Sequence, residues 1–110
     1  MKLTKTQAIE EHRKMWNWIA DETEKQKICV YEEDYFHDIY PNTSVRNNCF
    51  LCEYAAYNFP VCRKCPLDFC TEYCTNAGSA FRFWISSLQA CDWKSAAKYA
   101  REIANLKEKM

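Results

Sequence analysis

Eight cysteines stand in 110 residues, and six of them fall within positions 49–74. Their order is Cys49-Phe-Leu-Cys52, nine intervening residues, Cys62-Arg-Lys-Cys65-Pro66, then Cys70 and Cys74. Each C-x2-C pair makes a tight turn that presents two thiolates, and two such turns brought together complete a tetrahedron of sulfur. That is metal-binding chemistry. Zinc is the default ion, because it tolerates soft ligands and is indifferent to geometry; iron in a rubredoxin-like site would use the same four sulfurs. The expected ligands are Cys49, Cys52, Cys62 and Cys65. Cys74 and Cys70 are either spare thiols, replacements for one pair, or ligands of a second, thiolate-bridged ion. Coordination by four cysteines leaves no position for substrate or water, which predicts a structural centre. Its residual negative charge would be offset in part by Arg63 and Lys64 inside the second knuckle.

Compartment decides what the cysteines mean. The N-terminal stretch lacks the apolar core and small-residue cleavage site of a signal peptide. No apolar run approaches the ~20 residues needed to span a bilayer. The expected location is the reducing cytoplasm, where clustered cysteines serve metals; in a secreted chain the same even count would form disulfides. Cys29 and Cys91 lie apart from the cluster on apolar stretches, and are expected to be small buried hydrophobes.

Composition bounds the remaining choices. Fifteen basic residues balance fifteen acidic ones, which argues against a protein whose main task is neutralising phosphates. One glycine and three prolines exclude a collagen-like chain or a flexible linker protein. With 48% hydrophobic and 15% aromatic residues, the chain has the means to fold, and its length fits a single domain over 1–110.

The elements that must hold the cysteine segment are helical. A first helix is predicted over 6–25, and the capping-box spacing of Thr4 and Gln7 is consistent with a slightly earlier start. At about 100° per residue, Ala8, Ile9, His12, Met15, Trp16, Ile19, Ala20 and Thr23 fall on one broad face. Trp18 lies about 200° from Trp16, so the two rings cannot enter one core from the same face. It therefore sits under a loop or the cysteine segment, or serves as an aromatic anchor for a partner. Ile28 to Tyr31 reads as a short strand or an extended link. The stretch from Glu32 to Tyr40 mixes acids with aromatics and reads as a solvated lid or a loop that binds a basic partner.

Two helices are predicted after the cysteines, over 79–90 and 93–107. The first places Phe81, Trp84, Ile85 and Leu88 on one face. The second has Asp92 as its N-cap and a stripe of Trp93, Ala96, Ala97, Ala100, Ile103 and Ala104. Small side chains permit close approach, so this last helix is expected to pack against the first. Lys94, Lys98 and Arg101 form its outer flank. The fold class is mainly α, a small domain of three or four helices around a zinc-stapled irregular or short β-hairpin segment at 49–74. In a chain this short, such a metal is a major source of stability.

At the cysteines the chain also resembles a known group. Cys49-x2-Cys52-Glu53-Tyr54, Cys62-x2-Cys65-Pro66, the aromatic Phe69 and the later Cys74 are similar to small cysteine-rich proteins of tailed-bacteriophage genomes. Ala8-Ile9-Glu10 through Trp16-x-Trp18-Ile19 resembles their opening helix, and Ala97-x2-Ala100-Arg101-Glu102-Ile103-Ala104 their closing one. In that pattern Cys74 is the matched cysteine and Cys70 is an addition. The group has no established activity to carry over; the resemblance implies a phage source and a bacterial cytoplasm.

Enzyme readings fail on missing residues. A nucleic-acid deaminase needs H-x-E with P-C-x-x-C, but Val61 separates Pro60 from Cys62, and neither His12 nor His37 begins H-x-E. Phosphate-binding and nucleophile-elbow motifs each need two or more glycines, and Gly78 stands alone. His12 reads as a core histidine, and His37-Asp38 is a weak pairing. The expectation is a non-enzyme.

Two binding readings remain. Zinc knuckles bind single-stranded nucleic acid through aromatics and basic residues. Here the cysteine segment is charge-balanced, and basic residues exceed acidic ones only after residue 76. The leading expectation is therefore a protein-interaction module that docks on a host protein, defence enzymes included. Its expected contacts are Trp18, Tyr35, Phe36, Tyr57 and Phe59.

Overall fold

The computed structural model describes residues 4–39 and 78–107, so the cysteine segment lies outside the described residues. Four helices account for most of them: α1 (Lys5–Gln26), α2 (Glu32–Ile39), α3 (Ala80–Gln89) and α4 (Trp93–Ala104). Among the described residues there is no strand. The link 28–31 has no regular secondary structure, and Val30 within it is buried.

Three of the four helices start where the sequence provides a cap. At α1 the Thr4 hydroxyl accepts from the Gln7 amide at 3.1 Å, and the Thr4 amide donates back to the Gln7 side chain at 3.0 Å. This reciprocal box satisfies two otherwise orphaned donors. Ser79 accepts from the Arg82 amide at 3.1 Å, and Asp92 accepts from the Ser95 amide at 3.2 Å. Gly78, the only glycine in the chain, precedes Ser79 with φ 89°, a conformation costly for any side-chain-bearing residue. Lys27 ends α1 in the left-handed region at φ 57° while its amide closes on the Thr23 carbonyl at 2.8 Å.

The core is one cluster shared by all four helices. All eight residues of the apolar face of α1 are buried. Ala96, Ala97, Ala100, Ile103 and Ala104 of α4 are buried as well, while Trp93 is half-buried. These small residues let α4 lie close against both α1 and α3. The backbones of α1 and α3 stay farther apart, and large rings fill the space between them. Trp16 meets Trp84 edge to face at 4.7 Å and Phe81 at 6.3 Å between centroids. Edge-to-face pairing of this kind adds about 0.5–1.5 kcal/mol beyond the area buried.

Polar contacts lock the register of α1 on α4. His12 Nε2 donates to the Ile103 carbonyl at 2.9 Å, and Arg13 donates to the Leu106 carbonyl at 3.0 Å. Farther along α1, Asp21 and Glu24 receive Arg101 at 2.6 and 3.1 Å. Later residues of α1 thus meet an earlier residue of α4, and the two helices run in opposing directions. α4 stops at Ala104, sooner than the 107 that periodicity predicts. The Asn105 side chain takes the Arg101 carbonyl at 2.8 Å and ends the ladder.

The stretch after the 28–31 link is a helix rather than a loop. Glu32, Glu33 and Asp34 place three acids in the first turn of α2, where the helix dipole favours them. Asp34 also accepts from the Tyr31 amide at 2.9 Å. Tyr35 and Phe36 then point into the core at 1% and 8% exposure.

Candidate functional site

Burial of Tyr35 and Phe36 corrects their assignment as partner contacts. Tyr35 packs edge to face on Trp18 at 5.4 Å and on Phe36 at 5.7 Å. Trp18 is half-buried beneath α2 and packs against the core cluster. The physical reason is the same for all three: α2 folds back on α1 and uses these rings as its own adhesive. Tyr57 and Phe59, the other two expected contacts, lie outside the described residues, as does Tyr40.

What α2 leaves in solvent is a different set. Ile28 is 54% exposed, Tyr31 45% and Ile39 43%, and they stand with exposed Glu33, Asp34 and Asp38 around the link and the outer side of α2. The sequence signal for this surface is the spacing of Tyr35, Phe36 and Ile39 behind an acidic first turn. Eight residues are too short to display a helical period clearly.

The expected metal ligands Cys49, Cys52, Cys62 and Cys65, and the further Cys70 and Cys74, all lie outside the described residues. Among the described residues, no group of three or more His, Cys, Asp or Glu side chains is placed to hold a metal ion. Cys29 and Cys91 are free thiols. Cys29 is half-buried and packs on the core; burial pushes its thiol pKa up, and the nearby Cys91 and Asp92 add to the shift. Cys91 is exposed, contrary to its expected burial. It occupies the turn between α3 and α4 at φ 55°, outside both helices.

The two histidines have distinct surroundings. His12 is 1% exposed, and its carbonyl partner requires the proton on Nε2. Desolvation lowers its pKa to about 4, with the Ile103 hydrogen bond opposing and the Arg13 charge assisting that shift. Such a ring is neutral at physiological pH and has no access to a substrate. His37 is exposed and lies 3.1 Å from its neighbour Asp38, with no third group beside the pair among the described residues.

Sequence reasoning passed over the rim between α3 and α4. Phe83 is 45% exposed and stacks on Tyr99 at 5.3 Å with 26° between the planes. Lys98 Nζ stands 5.3 Å from the Tyr99 ring, and Lys94 Nζ 5.7 Å from the Trp93 ring. Phe83 lies outside the apolar face of α3, which is the available hint that it serves something other than the core. Among the described residues, no helix is long and apolar enough to cross a membrane. Comparison with known proteins gives no family model that matches the chain, no matching curated protein and no matching solved structure.

Proposed function

We propose that the chain is a small zinc-stabilised protein-interaction module, a phage product that binds and modulates a protein of its bacterial host. The observation that carries this reading is the exposure of three large apolar residues, Ile28, Tyr31 and Ile39, on and just before the acid-rich α2. Tyr35 and Phe36 anchor α2 from within, so the outer surface is held ready before any partner arrives, which lowers the ordering cost of binding. Exposed apolar side chains close in sequence to the exposed acids Glu33, Asp34 and Asp38 suit a partner that offers both apolar and basic groups. Inhibition of a host defence enzyme is one such role.

The cysteines supply the staple in this reading. Cys49, Cys52, Cys62 and Cys65 hold the zinc, with Cys74 and Cys70 as the nearby alternatives. A tetrathiolate zinc supplies folding energy and cross-links two turns, without chemistry of its own.

Native mass spectrometry of the tagged protein, gently purified from a bacterial lysate, tests both halves. One bound zinc and a retained host protein are expected. Replacing Tyr31 by Ala together with Ile39 by Glu should release that protein while changing stability by no more than about 0.5 kcal/mol, as for surface positions. Retention unaffected by the pair would refute the α2 surface. Cys52→Ser and Cys62→Ser should each lose the metal; full metal content in both would refute the ligand assignment. A mass lowered by about two daltons per cysteine pair would mean disulfides instead.

A further inference from the structure

The rim between α3 and α4 carries an aromatic pair that the core does not use. Phe83 leaves 45% of its surface in solvent, and its stack on Tyr99 fixes the plane of its ring. The same two helices carry exposed cations. Arg82, the sole charged residue of α3, adjoins Phe83 and is exposed; Lys98 reaches the Tyr99 ring, and Lys94 lies one turn earlier on α4. Among the described residues none of these three forms an ion pair, whereas Arg101 is taken up by Asp21 and Glu24 of α1. Within α3 and α4 the only acid is Glu102. The carboxylate of Asp92, just before α4, is engaged by Ser95 at 2.7 Å.

We infer that this rim binds single-stranded nucleic acid, with a base stacking at Phe83 and the adjoining phosphates meeting Arg82, Lys98 and Lys94. An exposed ring of fixed orientation beside a row of free cations is the combination that sequence-tolerant single-strand binding uses, because every base offers a π-face. An acidic protein segment would satisfy the cations but would gain nothing from the flat ring. The surface is distinct from that around α2, so the inference does not depend on a protein partner. Zero net charge keeps the affinity modest, at a Kd of about 10⁻⁴–10⁻⁶ M, the usual range for non-specific binding. Three phosphate contacts predict that log K falls against log salt with a slope of about −2.

Fluorescence anisotropy with a labelled oligothymidylate of about 20 nucleotides, titrated with the full-length protein from about 50 mM salt upward, reads these quantities. Saturable binding with that slope is expected. Phe83→Ala should weaken it at least about fivefold, the lower bound for losing one stacked base. Arg82→Gln with Lys98→Gln should flatten the slope by about 1.4, the share of two contacts. Phe83→Leu keeps the apolar volume and removes the ring, so it decides the matter should the alanine variant fail to fold. Absence of binding would overturn the inference, as would an abasic strand of equal length that binds equally well. Competition by oligoglutamate at equal charge would reassign the rim to an acidic protein segment.

Discussion

At the scale of single residues, His12 is the group whose chemistry reaches the rest of the molecule. Its pKa is pushed down to about 4 by burial, against an ordinary value of 6.5. The unfolded chain therefore binds the proton more readily than the folded one, and stability falls as pH drops. The contribution is intact above about pH 6.5 and is lost progressively toward pH 4, amounting to about 3 kcal/mol over that window. Thermal unfolding from pH 7.5 to 4.5 should show a falling Tm in the native chain. A His12→Leu variant, less stable at pH 7.5, should show a flatter profile, and the difference between the two curves removes any acid sensitivity common to both. Identical profiles would mean that His12 titrates as an exposed histidine. A histidine among Ile9, Met15 and Trp16 on one helical face is legible as a core residue. The Ile103 carbonyl it serves is not, because 91 residues separate them.

At the scale of elements, close approach of α4 depends on its alanines. Ala100 is fully buried in the cluster shared with α1 and α3. Ala100→Leu inserts three extra carbons where there is no space, and should cost about 1–3 kcal/mol through displaced neighbours. Calorimetry at neutral pH reads this directly; a neutral outcome would show that α4 lies looser on α1 than the small-residue stripe implies. The long helices were legible because each shows several turns of one period; Thr4 and Asp92 cap where spacing predicts, and Ser79, read as the first residue of its helix, is its cap. α2 was not, since eight residues whose core contacts fall at adjacent positions look like a loop. Missing α2 also misplaced Trp18, Tyr35 and Phe36, which have aromatic surface enough for a partner but spend it on one another. Cys91 misled for a backbone reason, a left-handed turn residue in an apolar stretch.

At the scale of the whole molecule, the described helices share one core but not one degree of anchorage. α1 and α4 are joined by the alanine stripe, two side chain–carbonyl hydrogen bonds and the Arg101 ion pairs. Among the described residues, α2 is fastened to α1 through Tyr35 and Phe36 at one edge. Native-state hydrogen exchange should therefore find α1 and α4 amides opening together near the global unfolding free energy, with α2 opening at a lower cost. Equal protection across α1, α2 and α4 would indicate a single cooperative unit that includes α2. The exposed ion pairs add little to this hierarchy, since such contacts are worth about 0–1 kcal/mol. Charge at this scale is also uneven. The first 40 residues hold nine acids against six bases, and the segment after residue 75 holds six bases against three acids, which is why the α2 surface and the α3–α4 rim suit different partners.

The pairing of α1 with α4 also sets a schedule for synthesis. His12 leaves the ribosome long before its partner, and translation at about 5–20 residues per second puts roughly 5–18 s between them. Throughout that interval Met15, Trp16 and Ile19 have no α4 to cover them. The nascent chain is an amphipathic helix with a bare apolar stripe, a natural client for chaperones that hold such segments. Closure of the core waits for α4, so a message truncated ahead of α4 leaves the apolar stripe of α1 without the helix that covers it.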